Sequence, residues 1–234
     1  MAARPARKRP RIFVLAGVNG AGKSSVVGHM LREHGLTWFN PDAFSRELVA
    51  RGGMSKEDAD AAAWAYGLRT LEAAIAEGRD HAFETTLGGT TITRLLAKAA
   101  ETHDVLMIYC GLVSVELHIE RVTSRVRHGG HDIPEARIRA RWETSREHLV
   151  ELLPHLAHLQ AFDNSQEAVP GEDIPEPVLV LEMKSGQILY PQSDDAAALE
   201  QTPNWAKPIV AAAFRGQAVK TPPQARTRRA SSID

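Results

Sequence analysis

Gly17-Val18-Asn19-Gly20-Ala21-Gly22-Lys23-Ser24 sets two glycines around four residues and follows them with a lysine and a hydroxyl. That spacing suits a polyphosphate. Glycines let the backbone N–H groups of Asn19, Gly20, Ala21 and Gly22 approach phosphate oxygens, and a helix opening at Lys23 adds partial positive charge. Lys23 reaches the β- and γ-phosphates, the Ser24 hydroxyl suits Mg²⁺, and Ser25 stands beside it at the helix start. ATP and Mg²⁺ are therefore the expected cofactors. The loop alone leaves open whether the nucleotide is a phosphate donor, a fuel for movement or a switch.

Two carboxylates bear on that choice. Asp42, in Asn40-Pro41-Asp42-Ala43-Phe44, follows a short apolar run and a turn fixed by Pro41. A carboxylate there can orient an acceptor hydroxyl and take its proton, a step worth about 10²- to 10⁴-fold. The bland alternative is that Asp42 N-caps a helix over 43–50. Glu84, in Glu84-Thr85-Thr86 with Gly88-Gly89 after it, can hold the water shell of Mg²⁺ or bind a substrate hydroxyl, and Thr86 suits a polar acceptor. The alternative is a polar strand end running into a turn.

Arginines form a third group. Arg121 and Arg125 lie four residues apart, with Arg127 beside a glycine turn; Arg137 and Arg141 share a face of the next helix, with Arg139 offset. Two helices joined through Gly129-Gly130 and carrying converging guanidiniums are what a phosphate-closing lid needs. Glu120, Glu135, Glu143 and Glu147 are available to pair with the remaining arginines at the surface. Asn164, in Asp163-Asn164-Ser165, is a candidate for the adenine side of the nucleotide or a simple turn residue. His128/His131 and His155/His158 lack companions at metal-ligand spacing and are set aside. Trp64 and Tyr66 read as packing residues, with Tyr66 also a candidate for the wall of an acceptor pocket.

Short β-type runs alternating with helical patterns position these groups. Strands are expected at 12–16, 38–40, 81–85, 105–112 and 160–162, and helices at 23–33, 43–50, from Ser55 to Gly78, 91–102, 116–128 and 134–155. Such alternation implies right-handed crossovers and a parallel sheet covered on both faces. Ligands of such sheets bind beyond the carboxyl ends of the strands, where Gly17, Asp42, Glu84 and Asp163 fall. Residues 178–183 and 187–190 flank Ser185-Gly186 and read as a β-hairpin. Residues 1–10 form a basic leader without a secretory pattern, 11–170 the main domain with a lid at about 121–141, 171–215 an appendage holding the hairpin, and 216–234 a disordered tail.

With 234 residues, 43% hydrophobic and 24% charged, the chain can bury a sizeable core. Its net charge of −1 and the lack of an aromatic-basic stripe argue against nucleic acid. No apolar stretch approaches membrane-spanning length. The lone cysteine, Cys110, cannot form an internal disulfide and is compatible with a reducing cytoplasm.

Taken in order, GVNGAGKS, NPDAF, FETTLGG, RVTSRVRHGGHDIPEARIRARWETSREHL and FDNS, spread over roughly residues 11–165, resemble the zeta-toxin family of P-loop kinases, in particular its short branch. The resemblance implies an α/β fold: a P-loop kinase-like parallel sheet of about five strands with helices on both faces, plus a helical lid and a C-terminal β-hairpin appendage. It implies that Asp42 acts as base toward a sugar hydroxyl, that Glu84 and Thr86 lie on the substrate or Mg²⁺ side, and that Arg121, Arg125 and Arg141 are lid residues contacting phosphate. It further implies UDP-N-acetylglucosamine or another sugar nucleotide as acceptor, a toxic activity, and an antitoxin as protein partner.

The expected function is thus an ATP-dependent kinase acting on a small-molecule hydroxyl. A nucleotide-dependent switch would need no acceptor pocket, and a nucleic-acid end kinase would use the basic tails to hold a strand.

Overall fold

Arg11–Ala16 forms β1, a nearly continuous apolar run with Ile12, Val14, Leu15 and Ala16 buried, as a central parallel strand requires. In this computed structural model, which describes residues 9–23, 38–128, 130, 132–167 and 175–220, β1 lies between β2 (His81–Thr85) and β3 (Asp104–Gly111). It is parallel to both, and β4 (His158–Asp163) continues the parallel set beyond β3. The expected strand at 38–40 shrinks to one parallel bridge, Phe39 to Phe83, made by Phe39 N–H to Ala82 O (2.9 Å) and Glu84 N–H to Phe39 O (2.9 Å). Pro41, without an N–H, ends the run and opens the next helix.

The hairpin does not stand apart. β5 (Val178–Lys184) pairs antiparallel with β4, and β6 (Gln187–Tyr190) pairs with β5, giving one six-stranded sheet in the order β2-β1-β3-β4-β5-β6. Ser185 (φ 52°) and Gly186 (φ 80°) both take the left-handed conformation of a tight hairpin turn. Without this hairpin, β4 would present an unpaired edge.

The helices are α1 (Pro41–Ala50), α2 (Lys56–Glu77), α3 (Thr90–Ala99), α4 (Val115–Arg127), α5 (Glu135–Leu152), α6 (Ala196–Gln201) and α7 (Lys207–Lys220). Ser55 caps α2 by accepting the Asp58 N–H (3.1 Å), and Gly78 ends it in the left-handed region (φ 62°). The helix expected at 23–33 falls outside the described residues except for Lys23, as do residues 1–8 of the leader and 221–234 of the tail. None of the described helices is long and apolar enough to cross a membrane.

One apolar core joins the sheet to α2, α3, α5 and α7. Burial pushes the Cys110 thiol and the Tyr109 phenol each up to about 12, and the Tyr109 hydroxyl bonds Ser145 Oγ (3.0 Å), tying α5 to β3. Trp205, 2% exposed, donates its indole N–H to Asp163 Oδ2 (2.6 Å) and lays its ring on Gly111. A Cβ on Gly111 would lie 2.4 Å from that ring. Trp205→Ala should therefore cost about 3–5 kcal/mol, through the cavity and the unpaired carboxylate oxygen. Urea unfolding measures this; a loss below about 1 kcal/mol would mean that the C-terminal segment is not part of the cooperative core.

Candidate functional site

The phosphate loop turns directly after β1. Gly17 has φ 139°, and a Cβ there would fall 2.2 Å from the Cys110 carbonyl oxygen, so the chain crosses β3 only because position 17 is glycine. Gly22 (φ 77°) lies against the Asn164 side chain, whose Nδ2 would sit 2.3 Å from an added Cβ. Asn164 Nδ2 also donates to Ala21 O (2.9 Å), so the residue expected on the adenine side touches the loop itself. Ala21 N–H closes the turn onto Val18 O (3.1 Å). Ser24 and Ser25 lie outside the described residues.

Sequence reasoning missed His118. Its Nδ1–H donates to Asn19 O (2.8 Å), while Nε2 is buried with no hydrogen-bond partner among the described residues. Its ring meets Trp142 edge-on at 5.3 Å. Burial pushes its pKa down to about 4; the Lys23, Arg121 and Arg146 charges lower it further, while the Asn19 bond opposes them. A neutral imidazole thus clamps the loop to α4, and only tertiary contact reveals it. Because the folded-state value lies below the ordinary 6.5, the unfolded chain binds the proton first. This contribution to stability is full above about pH 6.5 and declines toward about pH 4, by on the order of 3 kcal/mol. Denaturant titrations across that window should show a steeper loss for wild type than for His118→Gln; equal slopes would refute the neutral clamp.

Lys23 is buried beneath the loop, with Nζ 3.4 Å from Val18 O and 3.4 Å from Glu84 Oε1. Glu84 is the penultimate residue of β2, near the strand end as expected, and its Oε2 accepts the Asn40 Nδ2–H (2.7 Å). Asn40, not Asp42, caps α1: its Oδ1 accepts the Ala43 N–H (2.9 Å), with Pro41 at the first helical position. Asp42 therefore sits exposed in the first turn of α1, and its carboxylate takes no hydrogen bond or ion pair among the described residues. α1 is held to α2 by the buried Ser45 hydroxyl on Asp60 Oδ1 (2.6 Å) and by stacking of Phe44 on Tyr66 (4.8 Å).

Asp42, Glu84, Thr86, Lys23 and Arg141 line one cleft of about 350 Å³ at the carboxyl ends of the strands. Trp64, 52% exposed, forms part of its wall. Tyr66 turns away into the aromatic cluster with Phe39 and Phe44, as residues two apart on a helix do. Thr144 Oγ1 (3.2 Å to Gly88 O) and His148 Nδ1 (2.8 Å to Leu87 O) grip the turn after Glu84 from α5.

The lid arginines separate. Arg141 enters the cleft, donating to Asn19 Oδ1 at 2.6 Å. Burial and Arg137 lower its pKa, while Asp42 and Asp60 oppose that shift. Arg121 instead donates to the carbonyls of Asn164 (2.8 Å) and Gln166 (3.0 Å), tethering the segment after β4, and it does not line the cleft. Arg125 is exposed on α4, away from the cleft, and its carbonyl accepts the N–H groups of His128 (3.1 Å) and Gly130 (2.9 Å). Arg139 pairs with Glu135 and Glu116, and Arg146 with Glu143, as surface partners.

No group of three His, Cys, Asp or Glu side chains among the described residues could hold a metal alone. The Glu84 carboxylate, in a cleft that Thr86 also lines, fits Mg²⁺ carried by a nucleotide, which takes one or two protein oxygens, phosphate oxygens and several waters.

Residues 12–150 match the family model of an AAA domain, AAA_33. A guanylate kinase of Streptomyces coelicolor is 48% identical over 42 residues, 18% of this chain and 21% of that enzyme, so the chain spans about a fifth of that relative. A chain of the AvrRxo1-ORF1:-ORF2 complex with ATP has a TM-score of 0.62 at 17% identity, covering 85% of this chain and 64% of that one, less than two thirds of its length. The PezAT chromosomal toxin-antitoxin system of Streptococcus pneumoniae has a TM-score of 0.51 at 14% identity, covering 92% and 88%. Both are likenesses of fold. With its matched segment exceeding half its length, the chain shares its fold with these two solved structures and belongs to the AAA domain family.

Proposed function

We propose that the chain is a Mg²⁺-ATP-dependent kinase that transfers the γ-phosphoryl group to a hydroxyl of a small molecule held between α1, α2 and the end of β2. One observation carries the reading: Lys23, Arg141, Asp42 and Glu84 line a single cleft. A bound nucleotide supplies the phosphoryl group, with Mg²⁺ neutralising charge on its oxygens. The loop amides and Lys23 bind the phosphates, and Arg141 stabilises charge on the group in flight. Asp42 orients the acceptor hydroxyl and takes its proton late, as a weak base does. Glu84 and Thr86 complete the polar wall.

The zeta-toxin resemblance makes UDP-N-acetylglucosamine the first acceptor to test, and an antitoxin the first protein partner. An acceptor screen decides: purified chain, ATP and Mg²⁺ with UDP-sugars, nucleosides and amino acids, read by mass spectrometry. One compound should gain one phosphate. ATP binding without a phosphorylated product in any class would favour a switch instead.

A further inference from the structure

Asn40 joins the two halves of the cleft. Its Oδ1 accepts the Ala43 N–H (2.9 Å) and so caps α1, whose first turn carries Asp42. Its Nδ2 donates to Glu84 Oε2 (2.7 Å), while the other Glu84 oxygen faces Lys23 Nζ at 3.4 Å. The two amide atoms cannot be exchanged, because the helix offers a donor and Glu84 an acceptor.

A helix cap alone does not need this residue. Asp and Ser cap as well as Asn, since each supplies an oxygen to the orphan N–H. Only an amide supplies that oxygen together with a donor for a carboxylate. The donor matters most when phosphate reaches the loop. On the kinase reading Lys23 then turns toward phosphate oxygens, and the Asn40 bond continues to tie Glu84 to α1. It is a charge-assisted bond to a half-buried carboxylate, about twice as strong as a neutral one. Near-attack geometry tolerates little drift: about 1 Å of misplacement can cost 10²-fold in rate.

We infer that Asn40 is a positioning residue that keeps Glu84 in fixed relation to α1 and Asp42 once nucleotide draws Lys23 away. The inference rests on the kinase reading for its purpose, but its test needs only ATP and Mg²⁺. Asn40→Ser and Asn40→Asp both retain the cap and lose the donor, and Asn40→Asp sets a second carboxylate against Glu84. In the full chain, Asn40→Ser should melt within about 5 °C of wild type, because the cap survives and only the bond to Glu84 is lost, while Asn40→Asp should melt lower through repulsion between the two carboxylates. ATP affinity without Mg²⁺ should stay within about 3-fold, while single-turnover conversion of MgATP to ADP falls by about 10-fold or more. The gain in ATP affinity on adding Mg²⁺ should shrink at least about 3-fold in Asn40→Ser; this readout stands even where turnover with water is too slow to follow.

Wild-type turnover and a wild-type Mg²⁺ gain in Asn40→Ser would overturn the inference and leave Asn40 a cap. Asp42→Asn, run in parallel, separates the two ideas. Loss in Asn40→Ser with full turnover in Asp42→Asn keeps the positioning role and leaves the base to be judged by transfer to an acceptor hydroxyl. The reverse pattern refutes the positioning role alone.

Discussion

Asp42→Asn is expected to leave ATP affinity within a few-fold of wild type and to lower phosphoryl transfer by about 10²-fold or more. The separation follows from where the side chain stands. Asp42 is exposed in the first turn of α1, and the cap is supplied by Asn40, so the substitution disturbs no hydrogen bond among the described residues. The folding cost comes from removing a negative charge near a helix N-terminus, roughly 0.3–1 kcal/mol at an exposed site, together with its attraction to Arg141. Asparagine cannot accept the acceptor's proton or offer it a charged hydrogen-bond partner. Transfer at the wild-type rate would remove Asp42 from the chemistry and favour a nucleotide switch, which needs no acceptor base.

Arg141→Ala should lower transfer further, by about 10³-fold, with ATP affinity reduced by no more than about 10-fold. Arg141 reaches the loop from α5 and contacts Asn19 Oδ1 (2.6 Å), so its guanidinium borders the space that the phosphates would enter. Arg121→Ala should act differently. Its guanidinium holds the Asn164 and Gln166 carbonyls, so its loss should loosen the nucleotide side and weaken ATP affinity more than it slows single-turnover transfer. Single-turnover kinetics at saturating ATP distinguishes the two. Equal losses in both variants would show that the assignment by geometry is wrong.

How much of this was legible in the sequence depended on whether the determinant was local. The turn at Gly17 after β1, Glu84 near its strand end and the helix limits at Ser55 and Gly78 are set by neighbours within a few residues, and they stand where expected. The cap of α1 had a local signal too: proline favours the first helical position, which assigns the cap to Asn40 and frees Asp42. Trp64 and Tyr66 exchanged roles because helix phase relative to the sheet is a packing outcome. His118 and Trp205 gave no sign in sequence, since their partners Asn19 and Asp163 lie 99 and 42 residues away. Arg121 shared the spacing of a lid arginine, yet the loop after β4 claims it. The hairpin pattern was plain, but its place in the sheet follows from the bare edge of β4.

The cleft is proposed to move a phosphoryl group from ATP to a small-molecule hydroxyl. The most direct measurement supplies the purified chain with Mg²⁺ and ATP labelled in its γ-phosphoryl oxygens, together with a mixture of sugar nucleotides, sugars and nucleosides, and follows the label by mass spectrometry. Label is expected in one small-molecule phosphate ester, lost in Asp42→Asn while ATP still binds. Label confined to inorganic phosphate, or carried on polynucleotide ends, would contradict the proposal.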